Sequence, residues 1–282
     1  MASQSTAMTG NQARAKATPA AAGSSWLLPA ASLWWREIVR FYRNRGRVVG
    51  VIASPVLFWL VIGSGFGTSF RSDVAPGGAH YLDYFFPGAL IMIVLFTSIF
   101  TMMSVIEDRR EGFLLSVLVA PVGRSVIVLG KVMGGTTLAA AQGLVFLAFA
   151  PAVGIHLTLA RFALIALVVS LVAFSLTALG FTIAWRLDSS QAFHAIVNLF
   201  MIPLWLISGA LFPISGASGW IRALMRANPL TYGVEALRVL LYPRTTGEFT
   251  LGRELAVLAG FSAAMFAVAF LMASRRPTRP AA

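Results

Sequence analysis

The residues of this sequence that could do chemistry are few and widely spaced. The 282 residues include three histidines and no cysteine, so cysteine catalysis and cysteine metal sites are excluded, and the histidines lack metal-ligand spacing. Ser208 and His194 lie 14 residues apart in one apolar run, about 21 Å along a helix, so they cannot form a hydrolase pair. Gly130-Lys131 is followed by Val132, not by Ser or Thr, which excludes a phosphate-binding loop there. The sequence predicts a chain that is not an enzyme and holds no cofactor or metal.

Composition places the chain in a membrane. Hydrophobic residues make up 58% and charged residues 11% of the sequence, whereas soluble domains carry about 25% charged residues. An ordinary soluble enzyme, a disordered protein and a disulfide scaffold are excluded. The net charge of +12 comes from basic residues that lie between long apolar runs, not from one water-facing patch. This pattern predicts contact with anionic membrane lipids and no nucleic-acid partner.

Six stretches without Asp, Glu, Lys or Arg are long enough to span about 30 Å of hydrocarbon as helices. Such unbroken runs favour helices over barrel strands, which alternate. The predicted fold is therefore an all-α integral membrane domain over residues 31–275, with tails at 1–30 and 276–282. The first tail is rich in Ala, Ser, Thr and Gln, lacks a signal-peptide pattern and is predicted to be disordered. The stretches are Val48–Gly67, Phe85–Ile106, Val132–Ala160, Phe162–Trp185, Ala195–Ile221 and Leu255–Ser274. The longer stretches include flanking loop, and Pro151 is predicted to end the third span and Pro213 the fifth.

The distribution of basic residues predicts the orientation. With six spans both termini lie on one side. That side carries 15 Lys and Arg residues and the other side 7. Since cytoplasmic loops are enriched in Lys and Arg, both termini are predicted to be cytoplasmic.

An amphipathic helix is predicted before the first span, over Ser32–Arg47. Basic residues spaced four, three and four apart share one helical face, and aromatic and aliphatic residues share the other. This pattern is typical of a helix lying among lipid headgroups; an inward extension of the first span is the alternative. The basic residues are Arg36, Arg40, Arg43 and Arg47, and the apolar ones are Trp34, Ile38 and Phe41.

The longest inner connection, Glu107–Lys131, contains the uncharged run Gly112–Gly123, which is too short to cross a membrane. A short amphipathic helix that docks another protein is predicted here, with an ordinary surface loop as the alternative. Pro121 ends the run. The charged residues that border it are Glu107, Asp108, Arg109, Arg110 and Glu111 before it and Arg124 after it.

The outer segment Pro213–Glu254 is predicted to form a helical hairpin. Asn228-Pro229 is a typical helix start, and Glu235 and Arg238 are spaced three apart, so they can pair. The apolar flanks predict helices that dip into the outer leaflet from outside. The alternative is an interfacial hairpin with no transport role.

Ionisable residues are predicted to be absent from the interior of the spans, with Lys131 at the inner edge of the third. Without an intramembrane carboxylate, ion-driven transport lacks its usual site, so energy is expected from a partner. Gly130 and Gly134 form one of three G-x-x-x-G pairs, a pattern that permits close helix approach.

Two segments together resemble the ABC-2 type permeases, the membrane subunits of bacterial ATP-binding-cassette exporters. The first is WLISGALFPISGASGWIRALMRANPLTYGVEALRVLLY, Trp205–Tyr242, and the second is EDRREGFLLSVLVAPVGR, Glu107–Arg124. The likeness is strongest to permeases of daunorubicin-type drug exporters and Nod-factor exporters. Phe113 and Leu115 stand where the family commonly has Thr and Glu. The matching residues of the first segment include Ser208, Gly209, Phe212, Pro213, Asn228, Pro229, Leu230, Thr231, Tyr232, Glu235 and Arg238.

The resemblance implies a six-helix subunit in a bacterial cytoplasmic membrane, working as a dimer with a second copy or a paralogue. Two cytoplasmic ATPase subunits would hold the ATP and Mg. The interfacial helix, with Trp34, Arg36, Arg40 and Arg43, and the coupling helix would contact the ATPase. The hairpin would be the family's re-entrant pair. The implied coupling residues are Glu107, Arg109, Arg110, Glu111, Gly112, Phe113, Pro121 and Arg124.

An apolar pathway for an amphipathic, drug-like or lipid-like substrate is expected between the helices. Its candidate lining residues are Phe58, Trp59, Phe96, Met201 and Trp205. An ATP-independent channel or scaffold protein is the alternative function.

Overall fold

Helices account for the regular structure, as the long apolar runs predict. The computed structural model describes residues 26–66, 81–119, 123–242 and 247–274, and within these ranges it contains eleven α-helices and no β-strand. They are α1 (Leu27–Arg43), α2 (Arg45–Phe66), α3 (Tyr81–Thr101), α4 (Met103–Arg110), α5 (Phe113–Val119), α6 (Arg124–Phe146), α7 (Leu159–Arg186), α8 (Ser190–Trp205), α9 (Gly219–Ala227), α10 (Pro229–Leu241) and α11 (Leu251–Ser274).

Six helical segments are long and apolar enough to cross a membrane, which confirms the predicted all-α membrane fold with six spans. Most of the predicted tails, residues 1–25 and 275–282, lie outside the described residues. The segments are Val48–Gly65, Tyr81–Arg110, Arg124–Val153, Leu159–Arg186, Ser190–Ala210 and Leu251–Ser274.

Helix α3 is the centre of the bundle. It packs against α2, α6, α7 and α10, and its residues are buried along nearly the whole length. Its aromatic side chains fill the core: Phe86 stacks on Phe146 of α6 with ring centroids 4.9 Å apart. The second span is therefore enclosed by the first, third and fourth spans and by α10.

Helix α10 is short, yet almost all of its residues are buried, because it lies among α3, α7 and α11. Asn228 and Pro229 start it as predicted: the Asn228 side chain accepts a hydrogen bond from the Leu230 amide at 3.0 Å. Gly233 permits close approach to α7, since an added Cβ would lie 2.9 Å from Val172 Cγ2. Two short helices, α9 and α10, therefore lie between the fifth and sixth spans, where the helical hairpin is predicted.

Each of the six segments differs from the predicted run at one end or at both. The fifth span ends at Ala210, shortly before Pro213, its predicted end, because Gly209 adopts a left-handed φ of 84° that breaks the helix. The third span begins at Arg124 and so includes Lys131. The second segment runs on to Arg110 and includes Asp108, and the sixth begins at Leu251 and includes Glu254, so carboxylates lie in the terminal turns of these helical segments.

The two ends of the bundle are formed by different helices. Helices α1, α4 and α5, with the start of α6 and the last turn of α7, form the end that we refer to as the α1 end. Helix α9 and the starts of α10 and α11 lie at the opposite end.

Candidate functional site

Helix α1 is seated in a groove of α6 at the α1 end. Its buried face has the three- and four-residue spacing of a core-facing helix and consists of Ala30, Leu33, Glu37 and Phe41. The groove is made by glycines: an added Cβ would lie 2.7 Å from Leu33 Cβ at Gly130, and 2.8 Å from Glu37 Cβ at Gly134. The close approach that the G-x-x-x-G pattern permits is therefore realised between α6 and α1.

Lys131 is the centre of a polar cluster inside this contact. Its side chain is only 1% exposed, and its Nζ donates to Glu37 Oε1 at 2.6 Å, to Ser104 Oγ at 3.1 Å and to the Asp108 carboxylate. Ser104 Oγ in turn donates to Glu37 Oε2 at 2.7 Å. Because a buried charge needs both an ion pair and hydrogen bonds, these side chains hold α1, α4 and α6 in one arrangement.

Two arginines of α1 complete the cluster on its exposed side. Arg36 donates from both terminal nitrogens to Asp108, at 2.9 and 2.8 Å, and these bonds raise the pKa of its guanidinium. Arg40 donates to Asp108 at 2.6 Å and to Glu107 at 2.8 Å. We define the charge cluster as Glu37, Lys131, Asp108, Arg36, Arg40 and Glu107.

The predicted basic face of α1 is thus divided. Arg36 and Arg40 are directed to α4, whereas Arg43 is exposed. Trp34 packs beside α6, where its Nε1 donates to Thr137 Oγ1 at 3.0 Å. The prediction of one free basic face is therefore wrong for two of the three arginines of α1, because the acidic residues of α4 attract them.

The predicted coupling segment forms a bent pair of helices, α4 and α5. Gly112, with a left-handed φ of 75°, makes the turn between them. The guanidinium of Arg36 lies 3.6 Å from the ring centroid of Phe113, a cation–π contact that ties α1 to the start of α5. Leu114 is buried beside α1 and α6, whereas Val119 is 84% exposed.

Arg109 and Arg110 join the same segment to the connection between α7 and α8. Arg109 donates to the carbonyls of Trp185 and Leu187 at 2.5 and 3.1 Å, and to the Asp188 carboxylate at 2.9 Å. Arg110 donates to the Asp188 carbonyl at 3.1 Å. The two guanidinium groups thus donate hydrogen bonds to backbone carbonyls that have no partner within the helix at the end of α7, where the helix dipole also favours positive charge.

The structure therefore brings most predicted coupling residues together at one turn. These residues, which we refer to as the coupling turn, are Glu107, Arg109, Arg110, Glu111, Gly112 and Phe113. Arg124 lies apart from them at the start of α6, where it donates to the Ala273 carbonyl of α11 at 3.4 Å. Pro121 lies outside the described residues.

Sequence reasoning missed the buried members of the cluster. Lys131 was placed at a span edge, and Glu37 was assigned no role, although it falls on the apolar face of α1 with Leu33 and Phe41. A charged residue at a core-facing position is the signal that could have identified Glu37. Its partner was beyond sequence analysis, because 94 residues separate Glu37 from Lys131.

The predicted hairpin residues form a second polar group near the other end. Arg238 pairs with Glu235, as predicted, and donates to the Gly209 carbonyl at 2.8 Å. Asn228 donates to the Leu204 carbonyl at 2.6 Å and Tyr232 to the Arg226 carbonyl at 2.8 Å. Pro213 precedes a short 3₁₀ turn. These bonds fix α10 to the break after α8.

The candidate pathway residues have two different environments. Trp59, Met201 and Trp205 are buried within the chain, and both indoles donate to backbone carbonyls. Phe58 is exposed. Phe96 stacks on Phe100 and lines a cavity of about 160 Å³ between α2 and α3.

The described residues give no support to a metal site or to a hydrolase pair of Ser208 and His194. Within the described residues, no three His, Cys, Asp or Glu side chains are arranged to hold a metal ion. Ser208 donates to the Trp205 carbonyl at 2.6 Å, whereas His194 contacts Phe100 near the start of α8.

Comparison with known proteins gives matches over most of the chain. The family model described as ABC-2 type transporter matches residues 30–242. The putative transport permease ycf38 of Cyanophora paradoxa is 27% identical over 215 residues, which are 73% of this chain and 71% of the relative. The daunorubicin resistance ABC transporter permease protein DrrB1 of Streptomyces coeruleorubidus is 22% identical over 238 residues, 81% of this chain and 80% of the relative.

Proposed function

The chain belongs to the ABC-2 type transporter family, and from this membership and the geometry of the charge cluster we propose that it is the permease subunit of an ATP-driven exporter. It is a multi-pass membrane protein, the membrane subunit of a transporter. The observation that carries the proposal is that the charge cluster and the coupling turn connect the α1 end to three different spans.

Each connection is direct along the chain. Helix α1 is followed after one residue by α2, the first span, and α4 continues α3, the second span, after Met102. Through Arg109 and Arg110, α4 also holds the connection that leads into α8, the fifth span. A displacement applied to α4 and α1 therefore moves the first, second and fifth spans together.

The source of that displacement is a separate ATPase that docks on the α1 end. ATP and Mg²⁺ bind to this partner, and closure of the ATPase pushes on α5 and the coupling turn. Rigid-body movement of packed helices then opens an outward path. The buried charge cluster suits this role because paired charges hold one defined geometry between helices.

The exported substrate is amphipathic, drug-like or lipid-like. The side chains proposed for the pathway are aromatic and apolar, Phe58 and Phe96 among them, and such walls suit apolar groups better than free sugars or ions. One relative is a daunorubicin resistance permease by name, which fits this class. Export of only small hydrophilic solutes by the reconstituted complex would contradict the substrate assignment.

The working unit contains two permease chains, either two copies or this chain and a paralogue, in a bacterial cytoplasmic membrane with both termini in the cytoplasm. Helices α9 and α10 form the re-entrant pair at the outer side. Exposed apolar residues of α2 and α8, such as Leu57 and Phe200, face lipid or the second chain.

A matched pair of variants tests where the ATPase binds. Val119 of α5 and Leu159 at the start of α7 are each 84% exposed, at opposite ends of the bundle. Val119→Asp is expected to reduce copurification of the co-expressed ATPase from mild detergent by roughly tenfold, about 1.4 kcal/mol of binding, because it puts an unpaired charge in an apolar contact. Leu159→Asp is expected to leave recovery unchanged. Equal recovery with both variants would remove the docking role of α5.

A further inference from the structure

Glu254, in the first turn of α11, is a buried carboxylate that the proposed coupling does not use. Its side chain is 0% exposed, and neither Oε1 nor Oε2 has a hydrogen-bond partner among the residues that the structure describes. An ionised carboxylate buried in this way is strongly disfavoured, because it has lost water and gains neither a counter-ion nor a donor from any described residue. The group therefore requires a ligand that removes its charge.

The cation on the neighbouring helix is already engaged. Helix α10 packs against α11, and its Arg238 forms a buried ion pair with Glu235 and bonds to the Gly209 carbonyl. The Arg238 guanidinium also lies 4.4 Å from the ring centroid of Tyr84. Glu235 adds a second carboxylate to this region, so α10 brings one positive and one negative charge and leaves Glu254 uncompensated.

The other charged residues at this end that belong to the described ranges also form no bond to Glu254. Arg253 lies over the ring of Phe249, and Glu248 bonds to Arg226 at 2.8 Å. Arg161 lies in the first turn of α7, the other helix that packs along α11. Gly247 covers the carboxylate closely, since a Cβ added there would lie 3.8 Å from Glu254 Oε1.

We propose that Glu254 is a proton-binding site, a neutral carboxylic acid in this conformation. A metal ion fits the site poorly because Na⁺-like and Ca²⁺-like ions require several oxygen ligands, and among the described residues no metal-binding group of acidic side chains is present. If water reaches this end when the bundle opens, the acid O–H bond breaks, the proton passes to water and the carboxylate remains. The site then exchanges a proton on the side predicted to face outward.

Infrared spectroscopy of the full chain in lipid nanodiscs tests this assignment without the ATPase. At pH 7 the wild-type chain is expected to show a carboxylic-acid C=O band that is absent from Glu254→Gln. The matched control Glu248→Gln, which alters an exposed glutamate bonded to Arg226, is expected to keep the band. Identical spectra for wild type and Glu254→Gln would overturn the proposal. A band that appears only when sodium is withdrawn would also overturn it, in favour of a cation site.

A second variant keeps the test decisive if Glu254→Gln does not fold. Glu254→Asp retains an acid at this position, so its band is expected at a shifted frequency. A folded Asp variant whose band stays at the wild-type frequency would assign the band to another residue and overturn the proposal. Because no ATPase is present, these results are independent of the proposed transport function.

Discussion

Lys131→Met is expected to destabilise the chain by about 3–5 kcal/mol, the usual cost of removing one partner of a buried ion pair. Glu37 loses more of its interactions than Asp108 does when the lysine is removed. Asp108 keeps its bonds to Arg36 and Arg40, whereas Glu37 keeps the Ser104 hydroxyl and a long 3.9 Å contact to Arg36. In the complex, the same variant is expected to uncouple ATP hydrolysis from transport.

A double-mutant cycle with Glu37→Gln measures this interaction. Because Gln carries no charge, Lys131→Met is expected to cost about 1–3 kcal/mol less in the Glu37→Gln background than in the wild type. The measurement is the free energy of unfolding in mixed detergent micelles. Additive effects of the two changes would show that Lys131 and Glu37 are energetically independent, which contradicts the description of the cluster.

Gly134→Ala and Gly260→Ala are expected to shift stability in opposite directions. Alanine is favoured over glycine in helices by up to about 1 kcal/mol, and beyond its own helical turns no atom of the described residues lies within 4 Å of a Cβ added at Gly260. At Gly134 the added Cβ would lie 2.8 Å from Glu37 Cβ, so overpacking is expected to cost about 1–3 kcal/mol. The Gly134 variant moves α1 away from α6 and strains the charge cluster.

Thermal unfolding of both variants in the same detergent decides this prediction. Gly260→Ala should unfold at or slightly above the wild-type temperature, and Gly134→Ala several degrees below it. If Gly134→Ala is as stable as Gly260→Ala, α1 is not seated in the glycine groove of α6.

The sequence predicted the features that depend on local pattern. Apolar runs determined the six spans, Asn228-Pro229 determined the start of α10, and the spacing of Glu235 and Arg238 predicted their pair. The family resemblance, read from two short segments, is confirmed by a match over residues 30–242. Each of these predicted features depends on residues that are close together in the sequence, within one helix or one motif.

Features that depend on contacts between distant helices were not predicted. Lys131 and Glu254 are charged residues next to long apolar runs, and counting charges alone placed them outside the spans. Lys131 is retained inside because α1 and α4 supply carboxylates to it. The fifth span ends at Ala210, shortly before Pro213, its predicted end, because Gly209 breaks the helix through its backbone conformation, whereas glycine in an apolar run is compatible with a continuing helix.

Transport measured with the chain alone and with its ATPase tests most directly whether this permease takes its energy from a partner. The chain is reconstituted into proteoliposomes with an amphipathic fluorescent probe, with and without the ATPase and ATP. Vectorial movement of the probe is expected only when the chain, the ATPase and ATP are all present. Vectorial movement driven by the isolated chain, with no second protein, would contradict this account.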